Sequence, residues 1–75
     1  MNTTLTHVQS LVADWLSAAA HLGHATFSES DHPELREYQR EICSELRRAG
    51  VRFYIYELHG RLVLEILSGI AGPRR

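Results

Sequence analysis

Residues 51–67, VRFYIYELHGRLVLEIL, decide the fold of this 75-residue chain. Two runs rich in β-branched and aromatic residues lie on either side of the pair His59 and Gly60. That pattern is typical of a β-hairpin with a two-residue turn, in which glycine supplies the positive φ angle. The sequence therefore predicts strands over about residues 51–57 and 62–67.

This turn also predicts which side of the hairpin is buried, because side chains of a strand alternate between its two faces. Phe53 is expected opposite Ile66, and Ile55 opposite Leu64. The residues expected to face the core are Phe53, Ile55, Leu62, Leu64 and Ile66. The residues expected on the other side are Arg52, Tyr54, Tyr56, Leu58, Arg61, Val63 and Glu65.

Ahead of the hairpin, apolar residues recur at three- and four-residue steps, which is the period of a helix. Gly23 supplies a left-handed stop to this pattern, so a first helix is predicted over about residues 4–22. Residues 23–32 form a polar connection. A short extra strand near 25–28 is one way in which the connection could contribute to the sheet.

A second helix is predicted over about residues 33–49. Asp31 and Glu34 have the spacing of a capping box at its start, and Gly50 ends it. Its apolar face is expected to consist of Leu35, Tyr38, Ile42, Leu46 and Ala49.

These elements predict a two-layer α+β fold, with two N-terminal helices packed on a C-terminal antiparallel hairpin in the order α-α-β-β. Residues 1–75 are expected to form one small domain with a frayed tail at 68–75. A two-stranded sheet is seldom stable alone. We therefore expect the hairpin to depend on the helices or on a third strand, which could come from residues 25–28 or from a second copy of the chain.

Composition bears on function mainly by exclusion. Eight basic residues, all arginine, against nine acidic ones give a formal net charge of −1, which does not favour a general polyanion binder. No phosphate-binding loop or hydrolase motif occurs, and a chain of 8.5 kDa has little volume for a water-excluding pocket, so we expect no enzyme and no cofactor.

Cysteine and histidine contribute no strong motif. The single cysteine, Cys43, cannot form an internal disulfide, and a half-buried structural role is expected for it, although nearby arginines could lower its pKa. His21 and His24 have a spacing that metal ligands use, but no second pair follows, so no metal site is predicted. We predict a cytoplasmic protein, because it has one unpaired thiol and no basic region ahead of its apolar stretch. The apolar stretch is also too short to cross a membrane.

Three surfaces are candidates for binding a partner. The first helix has a wide uncharged sector around Trp15, which we expect a partner protein or a second copy to cover, the alternative being that the hairpin and the second helix cover it. The outer side of the hairpin combines tyrosines with arginines, residues enriched in binding hot spots. The second helix carries an arginine stripe, for which a solvated surface is the simpler explanation. The candidate partner-binding residues are Trp15, Arg36, Arg40, Arg47, Arg52, Tyr54, Tyr56 and Arg61.

The function predicted from these features is a small protein–protein interaction module, acting by stoichiometric binding as an adaptor, regulator or inhibitor of a larger assembly, with a homodimer as one form. Small regulators of phages and plasmids are often of this size, an argument by association. The alternative is a small nucleic-acid-binding regulator that uses the arginine stripe or the aromatic-basic hairpin.

Overall fold

A computed structural model describes residues 3–68 of the chain. Three helical segments and three strands follow one another as α1 (Thr3–Leu22), β1 (Ala25–Ser28), α2 (Glu34–Glu37), α3 (Gln39–Ala49), β2 (Arg52–Leu58) and β3 (Arg61–Ser68). The predicted α+β class is confirmed. Of the tail predicted to fray at 68–75, Ser68 belongs to β3, and the rest lies outside the described residues.

The strands form one antiparallel sheet in the order β1-β3-β2. Hairpin register is as predicted, with Phe53 opposite Ile66 and Ile55 opposite Leu64. The third strand comes from the chain itself, since β1 pairs with the other side of β3 and places Phe27 opposite Leu64. β3 is therefore the central strand, and β2 lies at an edge.

The turn between β2 and β3 requires positive φ at two residues rather than one. His59 has a φ of 56° and Gly60 a φ of 78°. A two-residue turn with both φ angles positive matches the right-handed twist of the strands that it joins. Histidine is one of the few residue types that occupy this region with any frequency.

The second predicted helix differs from the expectation in two ways. Tyr38, with φ −115° and ψ 25°, interrupts it and separates α2 from α3. The ring of Tyr38 packs edge to face against the ring of His7 on α1, with 5.5 Å between the ring centroids. The predicted capping box is also wrong, because the Asp31 carboxylate accepts a hydrogen bond from the Ser28 hydroxyl at 3.1 Å, and no side chain caps α2.

The C-terminal end of α3 is as the sequence predicts. Gly50 adopts the left-handed conformation with a φ of 76°. Its N–H donates to the carbonyl of Arg47 at 3.0 Å, and the N–H of Val51 donates to the carbonyl of Leu46 at 3.4 Å. These two bonds satisfy carbonyls that the end of a helix otherwise leaves without a donor.

The core lies between α1, α3 and one face of the sheet, which we call the inner face. Its buried members are Val8, Val12, Trp15, Ala19, Ala25, Leu35, Ile42, Leu46, Leu62, Leu64 and Ile66. Phe53 and Ile55, which the sequence places in the core, are only half-buried, because β2 is an edge strand. Ala49, expected on the apolar face of the second helix, is exposed.

Candidate functional site

The outer face of the sheet, opposite the helices, carries the clearest concentration of exposed apolar groups. Tyr54, Tyr56 and Leu58 lie at alternate positions of β2, and 57%, 40% and 52% of their surface is exposed. Among the described residues only one other large apolar side chain, Leu22, is comparably exposed. Three of these four exposed apolar residues thus lie on one strand and one face of the sheet. Single apolar residues scattered over a surface are ordinary, but a group on one face indicates a binding surface.

Beneath these side chains lies Val63, on the outer side of the hairpin as the alternation predicts. Only 7% of it is exposed. It occupies the middle of the central strand, directly between Tyr56 on β2 and Ser28 on β1. The neighbours on either side shield it, so the outer face has a small apolar centre of its own.

Charged residues border this apolar centre. Arg52 begins β2 at a register irregularity, and Arg61 lies directly opposite Leu58 at the other end of the strand. Between them, Glu65 is half-buried and directly opposite Tyr54. Tyr54, Tyr56 and Arg61 of the predicted group are therefore brought together on the outer side of the hairpin, with a carboxylate in their midst, whereas Arg52 pairs with Ser68 outside the regular alternation.

Arg61 also faces the connection between β1 and α2. It lines a depression of about 280 Å³ together with Glu29, Ser30, Pro33 and Arg36. Because Glu29 is the acidic group in that depression, part of the positive field of Arg61 falls on a residue of its own chain.

The arginine stripe of the second helix lies elsewhere on the molecule. Arg36, Arg40 and Arg47 line an open concavity of about 590 Å³ along α2 and α3. Glu37 and Glu41 line it as well, so its charge is mixed. The structure thus separates this stripe from the tyrosines of the outer face, and the eight predicted partner-binding residues do not form one site.

Arg36 is already engaged within the chain. Its Nε–H donates to the Glu29 carboxylate, and its Nη2 lies 3.5 Å from an oxygen of Glu57. The hydrogen bond from Arg36 holds the pKa of Glu29 below its usual value, and the same bond raises the pKa of Arg36. This arginine therefore links the connection, α2 and β2 at the surface of the molecule.

Neither of the two ion pairs that helical spacing suggests on the second helix, Glu37–Arg40 and Glu41–Arg48, occurs among the described residues. Arg48 instead lies 3.1 Å from Glu45. The guanidinium of Arg47 lies over the ring of Phe53, 5.9 Å from its centroid.

Cys43 is half-buried on α3, next to Arg47 in the concavity. Burial raises the pKa of its thiol, and the nearby charge of Arg47 opposes that rise only in part. The net direction is opposite to the lowering that its arginine neighbours suggested. A thiol with a raised pKa carries little of the thiolate that nucleophilic catalysis requires.

Trp15 is the main correction to the candidate list. Only 3% of it is exposed, and its ring stacks on that of Phe27 at 4.6 Å between centroids with 18° between planes. His32 meets the same ring edge to face at 5.4 Å. β1 and the connection, which helical periodicity alone does not reveal, thus cover the sector that we expected a partner to occupy.

The histidines do not converge. His21 and His24 are both exposed around the end of α1, whereas His32 packs against Trp15 and Phe27. Within residues 3–68 no three side chains of histidine, cysteine, aspartate or glutamate come together as the ligands of a metal ion. Over the same residues, no helix combines the length and the apolar character that crossing a bilayer demands.

Leu58 is a member of the outer face that the sequence placed there without naming it as a candidate for binding. The signal was available, because the alternation of Tyr54 and Tyr56 continues to Leu58 up to the turn. No protein-family profile, curated protein or solved structure matches this chain.

Proposed function

We propose that this protein is a binding module that contacts another protein through the outer face of its sheet and acts stoichiometrically, as an adaptor, regulator or inhibitor of a larger assembly. The single observation that carries the proposal is the exposed row formed by Tyr54, Tyr56 and Leu58. Tyrosine presents a large apolar surface with a polar tip and loses little entropy when bound, which suits it to protein interfaces. The lone thiol, Cys43, supports a cytoplasmic location.

Charge favours a protein over a nucleic acid as the partner. Glu65 lies directly opposite Tyr54, so a phosphate backbone that followed this face would meet a carboxylate at its centre. The arginines at the two ends, Arg52 and Arg61, suit the rim of a protein interface, where charges steer association and contribute little affinity. A nucleic-acid-binding regulator remains the alternative function, and it makes different predictions.

The test begins with Tyr54→Ala and Tyr56→Ala in the full chain, followed by quantitative capture of bound proteins and titration of the main one. Each substitution should weaken binding by about 1–3 kcal/mol. The free energy of unfolding should fall by less than about 1 kcal/mol, since only cross-strand contacts are lost. Arg40→Ala, on the other side of the molecule, is the matched control and should leave both quantities unchanged.

Arginine variants at the two ends of the outer face test the alternative function. Binding of single-stranded DNA or RNA whose affinity falls steeply with salt and is lost in Arg52→Ala and Arg61→Ala would replace the proposed function with nucleic-acid recognition. If both tyrosine variants keep every bound protein while their melting temperatures fall, the outer face is structural and the proposal is wrong.

A further inference from the structure

We propose that a second copy of this chain pairs with the open edge of β2, antiparallel and about a two-fold axis at Ile55, so that two three-stranded sheets join into one sheet of six strands. This inference concerns the edge of the sheet rather than its outer face. It therefore does not rest on the proposed function, and each can fail without the other.

The main-chain groups that point to the open edge follow from one hydrogen bond. The N–H of Glu29 donates to the carbonyl of Leu62 at 2.9 Å, which directs the main-chain groups of Leu62 toward β1. Because these groups alternate along a strand, those of Val63 point toward β2, where its partner is Tyr56. The same alternation on β2 turns the N–H and C=O groups of residues 53, 55 and 57 outward.

This open edge has few of the features that commonly prevent strands from pairing: its register irregularity lies at the first residue, and Glu57 is the one charged residue that β2 places on the inner face. β2 has seven residues, whereas β1, the other edge strand, has only four. β2 contains neither proline nor lysine, and its register is regular after an irregularity between Arg52 and Phe53. Within residues 3–68 no strand pairs with this edge. Such a row of main-chain donors and acceptors is a template for another strand.

Charge complementarity on the inner face favours a second copy as the occupant. In antiparallel pairing centred on Ile55, Phe53 lies opposite Glu57 of the second copy, with Cβ atoms about 5 Å apart. The ring of Phe53 carries the guanidinium of Arg47, which forms no ion pair among the described residues. Each Arg47 would thus gain a carboxylate from the other chain, and Glu57, which lies 3.5 Å from Arg36 of its own chain at an exposed position, would be shared between the two arginines.

The outer face is complementary in the same register. Tyr54 lies opposite Tyr56 of the second copy in a non-hydrogen-bonded pair, the type in which side chains approach most closely. Residues 53, 55 and 57 of both chains exchange about six main-chain hydrogen bonds. An unrelated extended peptide could make these bonds, but it would not supply the paired tyrosines and the two ion pairs together.

The first measurement is the mass of the full chain in solution, by sedimentation over a dilution series, with amide exchange followed by NMR at each end of the series. We expect twice 8.5 kDa at high concentration. Amides of Tyr54, Tyr56 and Leu58 should be protected at all concentrations, because they bond to β3. Those of Ile55 and Glu57 should become protected only in the dimer.

Variants then test the register. Glu57→Pro removes an outward N–H that the sheet itself does not use, together with the exposed contact between Glu57 and Arg36, so it should yield a folded monomer. Glu57→Gln keeps the N–H and loses only the charge, and it should keep the main-chain pairing. Glu57→Arg and Arg47→Glu should each weaken the dimer at least about tenfold, and the double exchange should restore it. Asp14→Arg makes the same change of charge as Glu57→Arg on the exposed surface of α1 and is the control.

Two outcomes overturn the inference. The first is a monomer of 8.5 kDa throughout the series, with the Ile55 and Glu57 amides exchanging as freely as exposed ones. The second is a dimer whose mass does not respond to Glu57→Pro, which would place the interface elsewhere. Because Tyr54 and Tyr56 also meet across the proposed dimer, the mass of each tyrosine variant is measured together with its partner binding, and loss of the partner at an unchanged mass tests the proposed function alone.

Discussion

Replacing Trp15 is the sharpest test of how this chain is held together. A buried tryptophan removes about 150–250 Å² from water, worth about 4–6 kcal/mol at about 25 cal/mol per Å². Trp15 is 3% exposed and stacks on Phe27. Because alanine at this position would bury only a small part of the area that tryptophan buries, Trp15→Ala should lower the free energy of unfolding by about 3–5 kcal/mol. A 75-residue domain has only about 4–11 kcal/mol in total.

Trp15→Phe keeps an aromatic ring against Phe27 and should lose about 1–2 kcal/mol, within the range that urea unfolding measures. Leu22→Ala on the same helix is the control, and since 66% of Leu22 is exposed its cost should be below about 0.5 kcal/mol. As the only tryptophan, Trp15 should also emit at short wavelength and resist quenching by acrylamide. A Trp15→Ala protein that unfolds at the wild-type urea concentration would refute the assignment of this side chain to the core.

Three further predictions follow from local geometry. His59→Asn should raise the free energy of unfolding by about 0.5–1 kcal/mol in urea titrations, because asparagine accepts positive φ more readily. Arg36 lowers the pKa of Glu29 in the folded protein, so the ionised carboxylate stabilises the fold at pH values above its unfolded pKa near 4.5. That stabilisation is lost as the pH falls through the lower pKa of the folded protein. Glu29→Gln should remove this part of the pH dependence of urea unfolding. Cys43 should react with a disulfide reagent at neutral pH more slowly than a free cysteine, and more slowly still in Arg47→Ala.

The sequence predicted the hairpin well because its signals are local. Alternation of side chains, the pair His59 and Gly60, and the glycine at position 50 each act within a few residues. These signals were enough for the register of β2 against β3, including Phe53 opposite Ile66.

What the sequence did not predict depends on contacts between distant segments. Helical periodicity shows that Trp15 belongs to an apolar sector, but it does not show which segment covers that sector. The covering residue, Phe27, belongs to a short strand in the connection, for which the sequence pattern is weak. Likewise, the half-burial of Phe53 and the burial of Val63 both depend on which strand is central. The break at Tyr38 has neither proline nor glycine to mark it.

The position of β2 at the edge makes the two proposals separable, because side chains and main-chain groups alternate along it with the same period. Residues 53, 55 and 57 direct side chains inward and main-chain groups to the open edge, whereas residues 54, 56 and 58 direct side chains outward and bond to β3. Alanine at the second set therefore changes the outer face and leaves every main-chain hydrogen bond intact. Proline separates the two sets as well: Glu57→Pro spares the ladder to β3, whereas Tyr56→Pro removes one of its donors and should unfold the hairpin.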